Sequence, residues 1–186
     1  GQKRFPVRDR SRRTAEIRDL YAFVSRLNGL DKFQEVVDHV VANTAEMLHC
    51  RRVSLMLPDS SGEYLTIAAA TGLPDDVRRH ARVPIGSPIA GLAYLEPRTV
   101  VVNEPNRCSA SGDRYENEIF AVVPMICTSL STPGGTIGVL NATERTDGQT
   151  FGEESLATFK AIADAAAIAI QRRAWEALRF GRGGRV

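Results

Sequence analysis

The sequence predicts an α+β fold arranged around an antiparallel sheet. The order of elements carries this expectation: helix, helix, two strands, a loop-rich crossover, two strands, helix. The central strands are apolar on both faces, so the sheet should be covered on both sides. The last helix is apolar around much of its circumference, which demands burial on more than one side.

Each element follows from its own residues. Residues 13–27 carry Ile17, Leu20, Tyr21, Val24 and Leu27 at three- and four-residue spacing, the stripe of an amphipathic helix that Asn28-Gly29 stops. Asp31 reads as the N-cap of a second helix, whose apolar face holds Phe33, Val36, Val37, Val40, Val41, Thr44, Met47 and Leu48. Residues 51–60 form a strand, with 62–72 as its hairpin partner. Along the first strand Val53, Leu55 and Leu57 point one way, Ser54 and Met56 the other.

Residues 73–86 hold one helical turn and a short strand. "SPIAGLAYLE" is a short helix with Pro88 in its first turn, and "RTVVVNE" a brief strand. Residues 104–118 are polar and loop-like. "IFAVVPMICTSLS" is a strand in which Pro124, lacking an N–H, must sit at the start, an edge or a bulge. Pro133-Gly134-Gly135 turns the chain into a strand over 136–143. The final helix, 152–180, places Leu156, Phe159, Ala163, Ala166 and Ile170 on one stripe. Ile162, Ala165 and Ala169 widen it, and Ile168 lies on another side.

Composition narrows the function classes. The chain has 186 residues and is 43% hydrophobic, enough for one domain with helical extensions. No run reaches the roughly 20 apolar residues that span a bilayer, and no apolar segment follows the basic N-terminus as in a signal peptide. Gly1 in place of Met suggests an excised fragment with a cloning remnant. Three scattered cysteines, Cys50, Cys108 and Cys127, argue against a disulfide framework and for a reducing cytoplasm. No metal-ligand spacing exists; His49-Cys50 alone cannot build a zinc site. Residues 1–18 hold seven Lys/Arg against two acids, and 172–186 five against one, leaving the body acidic. An acidic body with few aromatics speaks against nucleic-acid binding, and the basic ends read as linker or helix extension.

The stretches "VPIGSPIAGLAYLEPRTVVVNE", "FAVVPM" and "TIGVLNATERTDGQTFGEESLATFKAIADAAAIAI" resemble the GAF domain, a small-molecule sensor and dimerisation module. The matching positions are Pro84, Gly86, Ala90-Gly91, Val123-Pro124, Ile137-Gly138-Val139-Leu140 and Phe151-Gly152-Glu153-Glu154. The similarity covers roughly residues 20–175. It implies a six-stranded antiparallel sheet, the first and last long helices on one face, and a crossover over 73–119 walling a ligand pocket on the other. It also implies a parallel homodimer bundle of the terminal helices that carries the signal to a linked effector domain. The corresponding division is 1–12 basic linker or cloning remnant, 13–29 dimerisation helix, 30–180 GAF domain including the final helix, and 181–186 flexible tail.

The resemblance sets the candidate residues. Ser54, Met56, Ile89, Leu92, Ala93, Asn103, Arg107, Cys108, Arg114, Tyr115, Phe120 and Val122 are the expected pocket positions. Arg107 and Arg114 could grip a carboxylate or phosphate. Ile17, Leu20, Tyr21, Val24, Ile168 and Trp175 are the expected dimer contacts. The cyclic-nucleotide motif of some GAF domains is absent: Asn141, Asp147 and Phe151 lack its spacing. The His that usually follows a bilin-binding Cys is missing after Cys108. No His precedes the "VP" strand as a haem ligand, and His80 sits beside Arg78, Arg79 and Arg82. A free methionine sulfoxide reductase of this fold needs several reactive cysteines in the crossover, where only Cys108 stands. The expectation is therefore a non-catalytic, cytoplasmic sensor with an unidentified small ligand and no required cofactor. A structural dimeriser with a filled pocket is the alternative, and the reductase-like enzyme a further one.

Overall fold

The computed structural model describes residues 7–104 and 124–181. Six strands form one sheet: β1 (Cys50–Pro58), β2 (Tyr64–Thr71), β3 (Arg82–Pro84), β4 (Thr99–Val102), β5 (Met125–Thr132) and β6 (Gly135–Arg145). Their order is β3-β2-β1-β6-β5-β4, and every neighbouring pair is antiparallel. The helices are α1 (Val7–Asn28), α2 (Phe33–Met47), α3 (Asp75–His80), α4 (Ala90–Leu95) and α5 (Glu153–Gly181).

Two apolar layers sandwich the sheet. On one face α2 and α5 pack directly on the strands, with Val36, Val40, Leu55, Ile126, Leu140, Phe159 and Ile162 fully buried. On the other face α4 covers Met56, Val100, Val102, Met125, Cys127 and Val139. The alternation expected along β1 holds. Val53 and Leu55 face the long helices, and Met56 faces α4. A bulge between Leu55 and Met56 in the pairing with β2 does not disturb it, because the β1–β6 register runs straight through.

α1 lies outside this sandwich and packs on α2 and α5. It runs beside α5 in the same direction. Arg12 Nη2 is 3.2 Å from Glu154 Oε2 near the start of both helices, and Arg172 Nη2 donates to the Asn28 carbonyl at 3.1 Å near the other end of α1.

Four local expectations need correction. α1 begins at Val7, so part of the segment expected as a linker is helical; Arg12 supports it by pairing with Glu16 one turn on, 3.1 Å away. The buried stripe of α1 includes Phe23, absent from the expected stripe, while Ile17 and Tyr21 are 70% and 74% exposed. Leu20, Phe23, Val24 and Leu27 are the set that matches a single helix face, and Ile17 and Tyr21 flank it. Lys32, not Asp31, is the N-cap of α2, in extended conformation and without a side-chain cap; the Asp31 carboxylate lies 3.5 Å from Arg173 Nη2 instead. Pro88 lies in the turn before α4 rather than in its first turn, since the helix starts only at Ala90.

Candidate functional site

The site expected on the crossover face is built from residues paired across strands. Ser54 of β1 lies opposite Asn141 of β6, which lies opposite Cys127 of β5, which lies opposite Val100 of β4. Because side chains alternate, this row shares a face with Met56, Val139 and Met125. Asn141 Nδ2 donates to Ser54 Oγ at 3.4 Å. The floor is thus apolar with one polar pair near its middle, the pattern of a small-molecule site.

The structure places the expected residues unevenly. Met56, Ile89 and Ala93 are buried in the layer between α4 and the sheet, and Ser54 belongs to the floor row. Leu92 is half-buried and stands outside that layer. Asn103 does not present its amide to the pocket. Its Oδ1 accepts from Phe151 N–H at 2.8 Å and its Nδ2 donates to the Phe151 carbonyl at 3.0 Å, so both amide ends are spent holding the β6–α5 loop to the end of β4. Arg107, Cys108, Arg114, Tyr115, Phe120 and Val122 lie outside the described residues. Sequence reasoning missed Asn141 and Met125 as floor residues. Period-two alternation from Val139 and Cys127 marks both, but which face they share with Met56 depends on the register between strands.

The edge of the floor is strained. Ile89, just ahead of α4, has φ 63° and ψ −87°, the positive-φ γ-turn region, and its side chain is 5% exposed. A β-branched residue held there costs about 1–3 kcal/mol. Two residues earlier, Ser87 Oγ is buried with no hydrogen-bond partner among the described residues. An orphaned buried hydroxyl costs about 1–3 kcal/mol more. Gly91 closes the turn: a Cβ there would stand 2.5 Å from the Pro84 carbonyl oxygen and 2.8 Å from the Gly86 nitrogen.

The two described thiols are unsuited to nucleophilic work. Burial pushes Cys127 and Cys50 up to about 12, against which the nearby Arg98 and Arg145, respectively, have little effect. Among the described residues no three His, Cys, Asp or Glu side chains gather as metal ligands, and no helix is long and apolar enough to cross a membrane.

A second opening lies on the helical side. α1 touches α2 at Phe23, whose ring stacks on His39 at 5.2 Å, and a cleft of about 640 Å³ opens between α1, α2 and the start of α5. Glu16, Asp19, Glu46 and Glu154 line it together with Arg12 and Arg145. Arg145 is held by Asp147 (Nε–Oδ1 2.9 Å) and Ser155 (2.9 Å). Burial and the adjacent Glu154 raise the Glu16 carboxyl above its usual value, with Arg12 opposing them.

A six-stranded antiparallel sheet, with long helices on one face and a short helix over a mixed floor on the other, defines an α+β domain of two layers around one sheet. The chain belongs to the GAF domain family, whose model matches residues 32–170. It is similar to the GAF domain from Acinetobacter phosphoenolpyruvate-protein phosphotransferase, at 18% identity and TM-score 0.70, covering 90% of this chain and 98% of that one. The GAF domain of a phosphoenolpyruvate-protein phosphotransferase from Coxiella burnetii is similar at 17% identity and TM-score 0.71, covering 90% and 96%. Free methionine-R-sulfoxide reductase from Neisseria meningitidis is similar at 20% identity and TM-score 0.66, covering 84% and 89%. These likenesses are of fold. A comparison with curated proteins gives no match.

Proposed function

We propose that this chain is a non-catalytic GAF sensory domain of a cytoplasmic signalling protein. A small molecule binds on the α4 face of the sheet, and its occupancy is passed through the terminal helices of a homodimer to a linked effector domain. The observation that supports this most is the floor itself: an apolar surface around the Ser54–Asn141 pair, on the sheet face opposite α5. A ligand that prefers one sheet curvature would thereby bias the seating of α5, with couplings of about 1–3 kcal/mol typical. The test is thermal-shift screening of the protein against classes of metabolites. A dose-dependent rise in melting temperature that Asn141→Ala abolishes is expected. No shift with any class removes the sensing role.

One observation favours the second reading, a structural dimeriser whose pocket is filled. Ile89 is buried against the same floor. The reductase reading draws on the family resemblance and on the fold likeness to the Neisseria enzyme. Reductase assays of the protein and of its Cys108→Ser variant are expected to show no activity in either.

A further inference from the structure

We propose that the segment from Gly86 to Ala90 is a strained plug. It fills the ligand site of the sensory reading, on which this inference rests, and yields to a small, uncharged, mostly apolar molecule bearing a hydrogen-bonding group. Three features of one five-residue stretch point to it. Ile89 adopts φ 63° and ψ −87°, a conformation that a β-branched side chain resists, with its side chain buried in the cluster that also holds Met56 and Met125. Ser87 Oγ is buried with no hydrogen-bond partner among the described residues. Gly86 before them has φ 93°, and Gly91 just after them admits no Cβ, so glycine is required by conformation on one side and by close approach on the other.

An ordinary core segment holds its apolar residue in a relaxed backbone. Here burial of the Ile89 side chain, with the Leu92 N–H donating to the Ser87 carbonyl at 2.9 Å and the Ala93 N–H to the Ile89 carbonyl at 2.8 Å, holds a positive-φ backbone and an orphaned hydroxyl in place. Moving Ile89 out releases the positive φ and lets Ser87 bond to solvent or ligand. Those gains offset part of the lost apolar burial, so the open form lies close in free energy. The ligand class follows from what Ile89 leaves behind. The space is about the size of one large side chain. The buried cluster that holds it includes Met56, Met125, Val139 and Ala93 and, among the described residues, no charged side chain, with Ser54 and Asn141 on the same sheet face. A charged guest would find no counter-charge among these described residues.

The three methionines supply the readout. Met56 and Met125 belong to this layer, whereas Met47 packs against the core on the helical side. Protein labelled with ¹³C at the methionine methyls is titrated with indole, a neutral bicycle with one N–H. In Ile89→Ala and Ile89→Gly the Met56 and Met125 signals are expected to move, with affinity at least about tenfold above wild type, because the binding-competent population rises. The Met47 signal is expected to stay. No gain in affinity, or movement of Met47 instead, overturns the plug. The strain is tested separately. Ile89→Gly is expected to melt at or above Ile89→Ala, since only glycine accepts the positive φ freely; melting several degrees below it overturns the strain. Should both variants unfold, Ser87→Ala decides. A melting temperature equal to or above wild type is expected, and a fall of several degrees shows that the hydroxyl is bonded and the segment relaxed. Failure of the plug is distinct from failure of sensing. Indole uptake by the Ile89 variants with no metabolite response leaves the plug and removes the sensor. A metabolite response in wild type that the Ile89 variants leave unchanged does the reverse.

Discussion

At the scale of single residues, polar side chains do more to hold the domain than to mark its site. Asn103 is the clearest case. Its amide satisfies both backbone groups of Phe151, a residue 4% exposed and 48 positions away in sequence. Asn103→Ala leaves those groups orphaned and is expected to lower stability by about 1–3 kcal/mol, read by urea unfolding. Ligand affinity at the floor should change little. Asp147 gives a pH signature. Hydrogen bonds from the Arg145 side chain, foremost, hold its carboxyl well below the usual carboxylate range. A depressed carboxyl stabilises the fold above its unfolded value of about 3.9, and the benefit drains away as pH falls toward the folded value. Asp147→Asn should therefore lower the melting temperature at pH 7, and the gap to wild type should narrow below about pH 4. A constant gap across that range would show that Asp147 acts through shape rather than charge. These roles explain what the sequence hid. Alternation placed Ser54 and Met56 on the α4 side of the sheet, because period two is a local property. That Asn103 faces a loop rather than the pocket depends on a contact across 48 residues, which no local pattern encodes.

At the scale of elements, strands and long helices were legible and their joints were not. α5 and α2 advertise themselves through broad apolar faces, and β1 through its alternation. The α1 stripe was misread by one residue position because Ile17 and Tyr21 are apolar yet exposed, while Phe23 supplies the burial. Apolar spacing shows that a face exists, and packing against α2 and α5 decides where its centre lies. The turn into α4 was the least legible joint. Its geometry comes from the approach of Gly91 to Pro84 and Gly86, a tertiary fact. Gly91→Ala forces a Cβ to within 2.5 Å of a backbone oxygen and is expected to destabilise the domain by about 1–3 kcal/mol, measured by chemical unfolding. Gly134→Ala is the control. Its nearest neighbour would be the flexible Gln171 side chain at 3.5 Å, so it should cost far less.

At the scale of the whole molecule, α1 and α5 form a parallel pair tied at both ends: by Arg12 to Glu154 near the start, and by Arg172 and Arg173 to the carbonyls of Asn28 and Leu30 at the turn after α1. Arg173 is nearly buried, and its guanidinium also reaches Glu176. α1 is thus part of the fold as well as a candidate signalling helix, and this changes how dimerisation must be tested. Deleting residues 1–28 removes Phe23 and Leu27, 2% and 1% exposed, each worth about 1.5–3 kcal/mol of burial. It uncovers α2 and α5 at the same time, so loss of a dimer in that variant would be ambiguous. Substitution on the exposed flank separates the two effects. Ile17, Tyr21 and Ile168 are 70%, 74% and 64% exposed, and the parallel run of α1 and α5 puts them on neighbouring helices. Changing all three to Glu should leave the unfolding midpoint of the monomer within about 1 kcal/mol of wild type, because no core contact is lost. Sedimentation equilibrium should then show a dimer for wild type at micromolar concentration and a monomer for the triple variant. A triple variant that remains dimeric places the interface elsewhere than the exposed flank of α1 and α5.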